Sequence, residues 1–153
     1  MDKDYWKKIY GKCKEYGLNH VRFHSWCPPE AAFSVADSMG LYLQVECGAW
    51  AEVGSGLPQD EWIRQEGDRI LKEYGNHPSF CLMAYGNEPS GNRQADYLGK
   101  LVNYWKQTDG RRVYTSAAGW PYVPEADFWS TMEPRIQVWG AGLNLSLIHI
   151  SEP

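Results

Sequence analysis

The 153-residue chain has the length of one ordinary domain, and its 43% hydrophobic content is sufficient to build a core. Its formal net charge is -4, and its lysines and arginines form no cluster longer than a pair. This balance argues against nucleic acid and anionic membranes as partners, and no stretch approaches the roughly 18 apolar residues of a membrane span. A neutral or small polar substrate fits the composition better.

The four cysteines form no CxxC pair and have no metal-ligand spacing with the histidines. We therefore predict buried thiols rather than disulfides, and we expect no metal site. The chain is rich in aromatic residues, with eight tryptophans and ten tyrosines. Such side chains stack on the apolar faces of sugar rings, but they are equally common as anchors of cores and interfaces.

The spacing of apolar residues alternates between the helical and the strand period along the chain. A predicted helix over residues 4–16 is followed by a β-branched and aromatic run, and the same order then repeats. Prolines mark the start of the second helix, and Gly40 marks its end. The predicted helices cover residues 4–16, about 29–39, 59–74 and 92–107, and the predicted strands cover residues 20–24, 41–47, 80–85, 112–117 and 127–131.

Strands that alternate with helices of 10 to 15 residues predict βαβ units and a parallel sheet covered on both faces. Such a sheet either stays open or closes into a barrel, and periodicity does not distinguish the two. Residues 54–56, Gly-Ser-Gly, lack the Lys-Ser/Thr of a P-loop and the third glycine of a dinucleotide fingerprint. We therefore expect no cofactor, and the commonest reason for an open sheet is absent.

The most specific segment covers residues 76–89, Asn-His-Pro-Ser-Phe-Cys-Leu-Met-Ala-Tyr-Gly-Asn-Glu-Pro. A buried apolar strand leads directly into its last four residues, which we call the glutamate turn (Gly86, Asn87, Glu88 and Pro89). This order places a carboxylate beside an amide at the carboxyl end of a strand, where parallel-sheet enzymes have their active sites. We predict that Glu88 is a general acid, the alternative being a solvated loop carboxylate.

This segment resembles the fourth barrel strand of clan A glycoside hydrolases, especially glycoside hydrolase family 2, which contains β-galactosidases, β-glucuronidases and β-mannosidases. In that family Asn-His-Pro-Ser precedes an apolar strand that ends in Gly-Asn-Glu. The resemblance implies that Glu88 is the catalytic acid/base and that Asn87 binds the 2-hydroxyl of the sugar.

A second match supports the first. Residues 18–22, Leu-Asn-His-Val-Arg, and the later Gly40-Leu41-Tyr42 resemble the second and third strands of the same family. Arg22 is expected either to bind substrate or to pair with a carboxylate such as Glu46, whose match in the family is a support residue. The order after Arg22 differs from the family's Thr/Cys-Ser-His-Tyr-Pro, and His24 is displaced by one position.

Three tryptophans follow predicted strand ends and are interpreted either as sugar platforms or as core residues; they are Trp26, Trp50 and Trp120. The candidate substrate-binding residues are therefore Asn87, Arg22, His24, Trp26, Glu46 and Trp120.

The resemblance covers about residues 3–143 and implies an α/β fold, a partial (β/α)₈ TIM barrel with about strands two to six. Members of the family are retaining enzymes in which a second glutamate, at the end of the seventh strand, attacks the anomeric carbon. That strand lies beyond the resemblance. We therefore expect residues 1–144 to be a partial catalytic domain with a carbohydrate as its partner, inactive by itself. Glu46 is the best substitute within the chain for the missing nucleophile.

Residues 145–153 interrupt the repeating pattern and resemble the translation of a sequencing-library adapter. We expect them to be a non-native tail, the alternative being a genuine short strand. Two other functions also remain open at this point. A non-catalytic carbohydrate-binding module would bind sugar without needing Glu88, and an unrelated α/β enzyme would have an open sheet with its ligand at a strand-order switch point.

Overall fold

The computed structural model describes residues 2–130. The helices are α1 Lys3–Glu15, α2 Glu30–Met39, α3 Pro58–Tyr74 and α4 Gln94–Thr108, and the strands are β1 His20–Arg22, β2 Tyr42–Glu46, β3 Phe80–Ala84 and β4 Val113–Thr115. This alternation of helices and strands confirms the predicted α/β organisation. The expected tail, residues 145–153, lies outside the described residues.

The four strands form one parallel sheet in the order β1-β2-β3-β4. β1 pairs with β2 from His20 opposite Tyr42 to Arg22 opposite Gln44, and the register shifts between Leu43 and Gln44 where β2 meets β3. Each strand therefore neighbours the next one in sequence. Among the described strands the order does not reverse, so this part of the chain lacks the switch point of a doubly wound sheet.

The predicted fifth strand is present only as isolated contacts. The Asp127 N–H donates to the Tyr114 carbonyl at 2.8 Å, and Ala118 and Ser130 form a single parallel bridge. The segment thus runs parallel to β4 and the loop that follows it. Because too few consecutive residues are paired, residues 127–130 form no regular strand, and the prediction was wrong for this described part of residues 127–131.

The core lies between one face of the sheet and the helices. Along β2, Leu43 and Val45 are fully buried, whereas Tyr42 at the start of the strand is 53% exposed. Val113 of β4 is also exposed. Side chains alternate between the two faces of a strand, and Gln44 and Glu46, on the face opposite Leu43, are 3% and 0% exposed. Beyond Tyr42, both faces of β2 are therefore buried, which agrees with the prediction of two covered faces at this strand.

Helix boundaries follow the residues that favour them. The Asp2 carboxylate accepts the Tyr5 N–H at 3.0 Å and caps α1. Gly40 ends α2 in the left-handed region, with a φ of 70°, where other residues are strained. Within the described part of the chain, no helix is both long and apolar enough to cross a membrane.

The cysteines are all free thiols, as expected, but only Cys47 is fully buried. Burial raises the pKa of the Cys47 thiol well above its ordinary value. The other three cysteines are half-buried, so the prediction of buried thiols is correct for one of the four.

Helices α3 and α4 pack closely because Gly67 presents no side chain to Trp105. A Cβ atom at residue 67 would lie 2.5 Å from the Trp105 Nε1 atom. Trp105 is fully buried and stacks on Tyr114 of β4 with ring centroids 5.9 Å apart. The glycine thus allows one indole to join α3, α4 and the sheet.

We predict that Gly67→Ala lowers the free energy of unfolding by about 1–3 kcal/mol, since the added methyl group overpacks the contact with Trp105. Gly11→Ala is the matched control, because a Cβ atom at residue 11 of α1 meets nothing within 4 Å. That change should raise stability by up to about 1 kcal/mol through helix propensity. Urea denaturation measures both, and equal effects of the two changes would contradict the packing argument.

The Asn-His-Pro-Ser segment before β3 is fixed to α2 by Asp37. The Asp37 carboxylate accepts hydrogen bonds from His77 Nδ1 at 2.7 Å and from the Ser79 N–H at 2.9 Å. The His77 ring also stacks on Phe33, with centroids 5.2 Å apart. Burial alone would raise the pKa of Asp37, but the hydrogen bonds from Ser79 and His77 outweigh it, and the pKa lies below its ordinary value. These contacts are structural.

A depressed pKa in the folded state means that the charged Asp37 stabilises the fold above the ordinary aspartate pKa of about 4. This contribution is lost as the pH falls through the lower, folded pKa. We therefore expect Asp37→Asn to cost about 1–3 kcal/mol at neutral pH. In denaturation curves the difference from the wild-type chain should shrink below pH 4. A difference that is constant down to pH 2 would argue against this linkage.

Candidate active site

The glutamate turn is held on both sides by backbone hydrogen bonds in the parallel pattern of the sheet. On one side, the Asn87 N–H donates to the Ala49 carbonyl at 3.1 Å. On the other, the Glu88 N–H donates to the Ala118 carbonyl at 3.0 Å, and the Ala118 N–H donates to the Gly86 carbonyl at 3.0 Å. The loops after β2 and β4 therefore fix the backbone on which Glu88 lies.

The pairing between the loops after β2 and β3 continues beyond Asn87. The Ser90 N–H donates to the Ala51 carbonyl at 3.2 Å, and the Val53 N–H donates to the Ser90 carbonyl at 3.0 Å. The Tyr85 hydroxyl donates to the Ala51 carbonyl and accepts from the Ala51 N–H, at 3.0 and 2.9 Å. These hydrogen bonds restrict the backbone conformation of residues 47–53.

Two backbone conformations explain the composition of the glutamate turn. A Cβ atom at Gly86, where φ is 155°, would lie 2.1 Å from the Ala49 carbonyl oxygen, so glycine is required there. Glu88 is half-buried and has a φ of 38°, a left-handed conformation that costs a non-glycine residue energy. The next loop provides space for its side chain, since a Cβ atom at Gly119 would lie 3.3 Å from Glu88 Cγ.

Arg22, Glu46 and Asn87, which we call the arginine cluster, come from three consecutive strand ends. Arg22 Nε donates to Glu46 Oε1 at 2.5 Å. Arg22 Nη2 donates to Glu46 Oε2 at 3.1 Å and to Asn87 Oδ1 at 3.0 Å. Of the two roles expected for Arg22, the structure places it in the ion pair with Glu46 while leaving 31% of its side chain exposed.

Glu46 is completely buried, and a buried carboxylate requires compensation by partners. Both of its oxygens are engaged, because Oε2 also accepts the Ser25 N–H at 2.6 Å. The structure therefore gives Glu46 a supporting position, in which it holds Arg22 and Ser25 and has no surface of its own for contact with a substrate or for nucleophilic attack.

The side chain of Asn87 is oriented by the same cluster. Its Oδ1 atom accepts from Arg22, so its Nδ2 group is the part that remains to donate, and no described residue accepts from it. Asn87 is 7% exposed, which leaves it narrow access from outside. Thr115 of β4 lies opposite Ala84 of β3 and also has a buried hydroxyl. That hydroxyl has no partner among the described residues.

The aromatic residues predicted as sugar platforms lie in different surroundings. Trp120 Nε1 donates to the Pro89 carbonyl at 3.0 Å, which holds a 42% exposed indole beside the glutamate turn. His24 and Trp50 are exposed and meet edge to face, with centroids 5.2 Å apart. These two residues extend from the loops after β1 and β2.

Trp26 has a different environment. Its ring stacks on Trp6 of α1 at 6.4 Å and contacts Phe23 at 5.7 Å between centroids. The Trp26 backbone carbonyl accepts the Glu46 N–H at 3.5 Å, but no side-chain contact among the described residues joins the Trp26 ring to the arginine cluster. It lies in the structure as an aromatic anchor of α1, although 43% of it is exposed.

A cavity between α3 and α4 lies apart from the predicted site residues. It has a volume of about 410 Å³ and is lined by residues such as Leu57, Tyr97 and Tyr104, and it contains none of the predicted site residues. Within residues 2–130, no three His, Cys, Asp or Glu side chains are grouped as a metal ion would require. The strand ends therefore carry the candidate site.

We predict that Glu88→Gly raises the free energy of unfolding by about 0.5–1 kcal/mol, because glycine relieves the left-handed conformation at residue 88. Glu73→Gly, at an exposed position of α3, should instead lower it by about 1 kcal/mol. Urea denaturation of both variants provides the comparison. A loss of stability in Glu88→Gly similar to that in Glu73→Gly would show that residue 88 is not strained.

No protein-family model matches the chain, and no curated protein matches it. Several solved structures share its fold. An FMN-binding β-glucuronidase from Facaelibacterium prausnitzii L2-6 is 18% identical, with a TM-score of 0.73 over 84% of this chain and 22% of that one. A putative β-galactosidase from Bacteroides fragilis is 19% identical, with a TM-score of 0.72 over 84% of this chain and 20% of that one.

A β-glycosidase from Bacteroides vulgatus is 22% identical, with a TM-score of 0.64 over 77% of this chain and 16% of that one. The chain thus spans about a fifth of the length of these structures. At such identities the likeness shows the fold, and the three structures named here are, by name, glycosidases.

Proposed function

We propose that this chain is part of the (β/α)₈-barrel catalytic domain of a retaining β-glycosidase of the glycoside hydrolase family 2 type, with Glu88 as the general acid/base. The observation that carries the proposal is the arginine cluster beside Glu88, at the carboxyl ends of three consecutive parallel strands. A parallel sheet collects functional groups at that end. The fold shared with glycosidases supports it.

The curvature of the sheet favours a barrel. Gln44 Nε2 donates to Ser130 Oγ at 3.3 Å, although β3 and β4 lie between β2 and the segment that carries Ser130. Neighbouring strands are about 4.8 Å apart, so a flat sheet would separate these two backbones by roughly 14 Å, more than the two side chains can bridge. The sheet must therefore curl towards the Gln44 face, as closure requires.

In the proposed reaction, Glu88 protonates the leaving oxygen and later takes a proton from water. Asn87 donates from Nδ2 to a hydroxyl of the sugar, and Arg22 keeps that amide oriented through Oδ1. Glu46 neutralises Arg22. The exposed rings of Trp120, His24 and Trp50 supply apolar faces for the carbohydrate.

Retaining hydrolysis needs a second carboxylate about 5–5.5 Å from the first, which attacks the anomeric carbon. Since Glu46 is buried and engaged in hydrogen bonds, we assign the nucleophile to a part of the enzyme outside residues 1–144. Those residues are then a partial catalytic domain, and residues 145–153 remain a predicted non-native tail.

The test is kinetic and uses the complete gene, recovered by independent sequencing of the DNA around this reading frame. Glu88→Gln should reduce hydrolysis of substrates with poor leaving groups by about 10²–10⁴-fold. In kcat/KM, which reports only the steps up to cleavage of the glycosidic bond, activated aryl β-glycosides should lose much less, because their leaving groups need no proton. The substrates of the assay are aryl β-galactoside, β-glucuronide, β-mannoside and β-glucoside.

Glu73→Gln on the exposed face of α3 is the matched control and should leave both rates unchanged. Equal losses on both substrate types in Glu88→Gln would remove the acid role. The 153-residue chain, assayed beside the complete enzyme, should be inactive. Turnover by this chain that disappears in its Glu88→Ala variant would place the nucleophile within it and return Glu46 to consideration.

A further inference from the structure

Ser25, in the loop after β1, contacts both the end of β2 and the loop that follows β2, although nothing in its sequence context singles it out. Its N–H donates to Glu46 Oε2 at 2.6 Å, and its hydroxyl donates to the Ala49 carbonyl at 3.0 Å. Its φ of 49° is left-handed, a conformation that few serines adopt. A strained residue that persists at a site must be stabilised by its contacts there.

The Ala49 carbonyl is the point where three loops meet. It accepts both the Ser25 hydroxyl and the Asn87 N–H, and its two lone pairs are sufficient for both. The absence of a side chain at Gly86 lets the carbonyl approach the glutamate turn. A displacement of Ala49 would therefore be transmitted directly to the backbone before Glu88.

We propose that Ser25 is a positioning residue that aligns the glutamate turn. One path runs from its hydroxyl through the Ala49 carbonyl to the Asn87 backbone. The other runs from its N–H through Glu46 and Arg22 to the Asn87 side chain. Both paths end at Asn87 and fix its backbone and its amide together. The catalytic meaning of this alignment rests on the proposed function of Glu88.

The hydroxyl can be removed without other changes by Ser25→Gly, because glycine keeps the N–H and accepts the left-handed conformation. Ser38→Ala is the matched control. The Ser38 hydroxyl also donates to a backbone carbonyl, that of Val35 at 2.8 Å, but within α2. Ser25→Ala is the second variant and should give the same local effect with a lower overall stability.

The first measurement is amide hydrogen exchange by NMR in the 153-residue chain. Ser25→Gly should accelerate exchange of the Asn87 amide about fivefold, the effect of losing one ordinary hydrogen bond. The amides of Val45 and Leu101, in the core, should not change, and Ser38→Ala should leave Asn87 unchanged. Exchange at Asn87 that is unaltered, or that rises only in parallel with the core amides, would overturn the proposal.

The second measurement uses the complete enzyme. Ser25→Gly should lower kcat/KM for substrates with poor leaving groups about tenfold, because kcat/KM reports the step in which the misaligned Glu88 must donate its proton. The kcat/KM of activated aryl glycosides should stay near its original value. Equal losses on both substrates would overturn the proposed alignment. If Glu88 is not the acid, the Glu88→Gln kinetics show it, while the exchange data still decide whether Ser25 positions the turn.

Discussion

Backbone hydrogen bonds of the parallel sheet continue past the ends of β2, β3 and β4, and the site depends on this continuation. The Ala49 and Ala118 carbonyls each accept an N–H from the glutamate turn. Loops are usually the more variable parts of a fold, but here the turn is as closely paired as a strand. Backbone hydrogen bonds alone therefore fix the conformation of the turn, and they also fix the backbone conformation of Glu88.

One buried carboxylate, that of Glu46, determines how the polar groups next to the glutamate turn are paired. Glu46 would be costly to bury alone, and Arg22 and the Ser25 N–H supply the compensation. Because Arg22 also holds Asn87, the requirement of Glu46 for partners fixes a residue on a different loop. The ion pair that compensates the buried Glu46 thus also fixes the orientation of the Asn87 side chain.

Local patterns in the sequence predicted the four helices and four of the five expected strands. Gly40 predicted the end of α2, and the apolar run before Gly86 predicted β3, since both signals depend on neighbouring residues. Contacts between distant segments were not predictable in this way. The role of the Ala49 carbonyl leaves no mark on a side chain, and the contact of Trp26 with Trp6 depends on how α1 packs.

The pairing of residues 47–53 with the loop after β3 also limits where this part of the fold can vary in length. An inserted residue between Ala49 and Val53 would shift the carbonyls that receive Asn87 and Ser90. The loop is held further along as well, because the Asp60 carboxylate accepts the Gly54 and Gly56 N–H groups, each at 2.9 Å. Homologous chains should therefore keep the length of this loop up to the start of α3, and a peptide or reporter inserted there should disturb the side of the loop that lies at the candidate site.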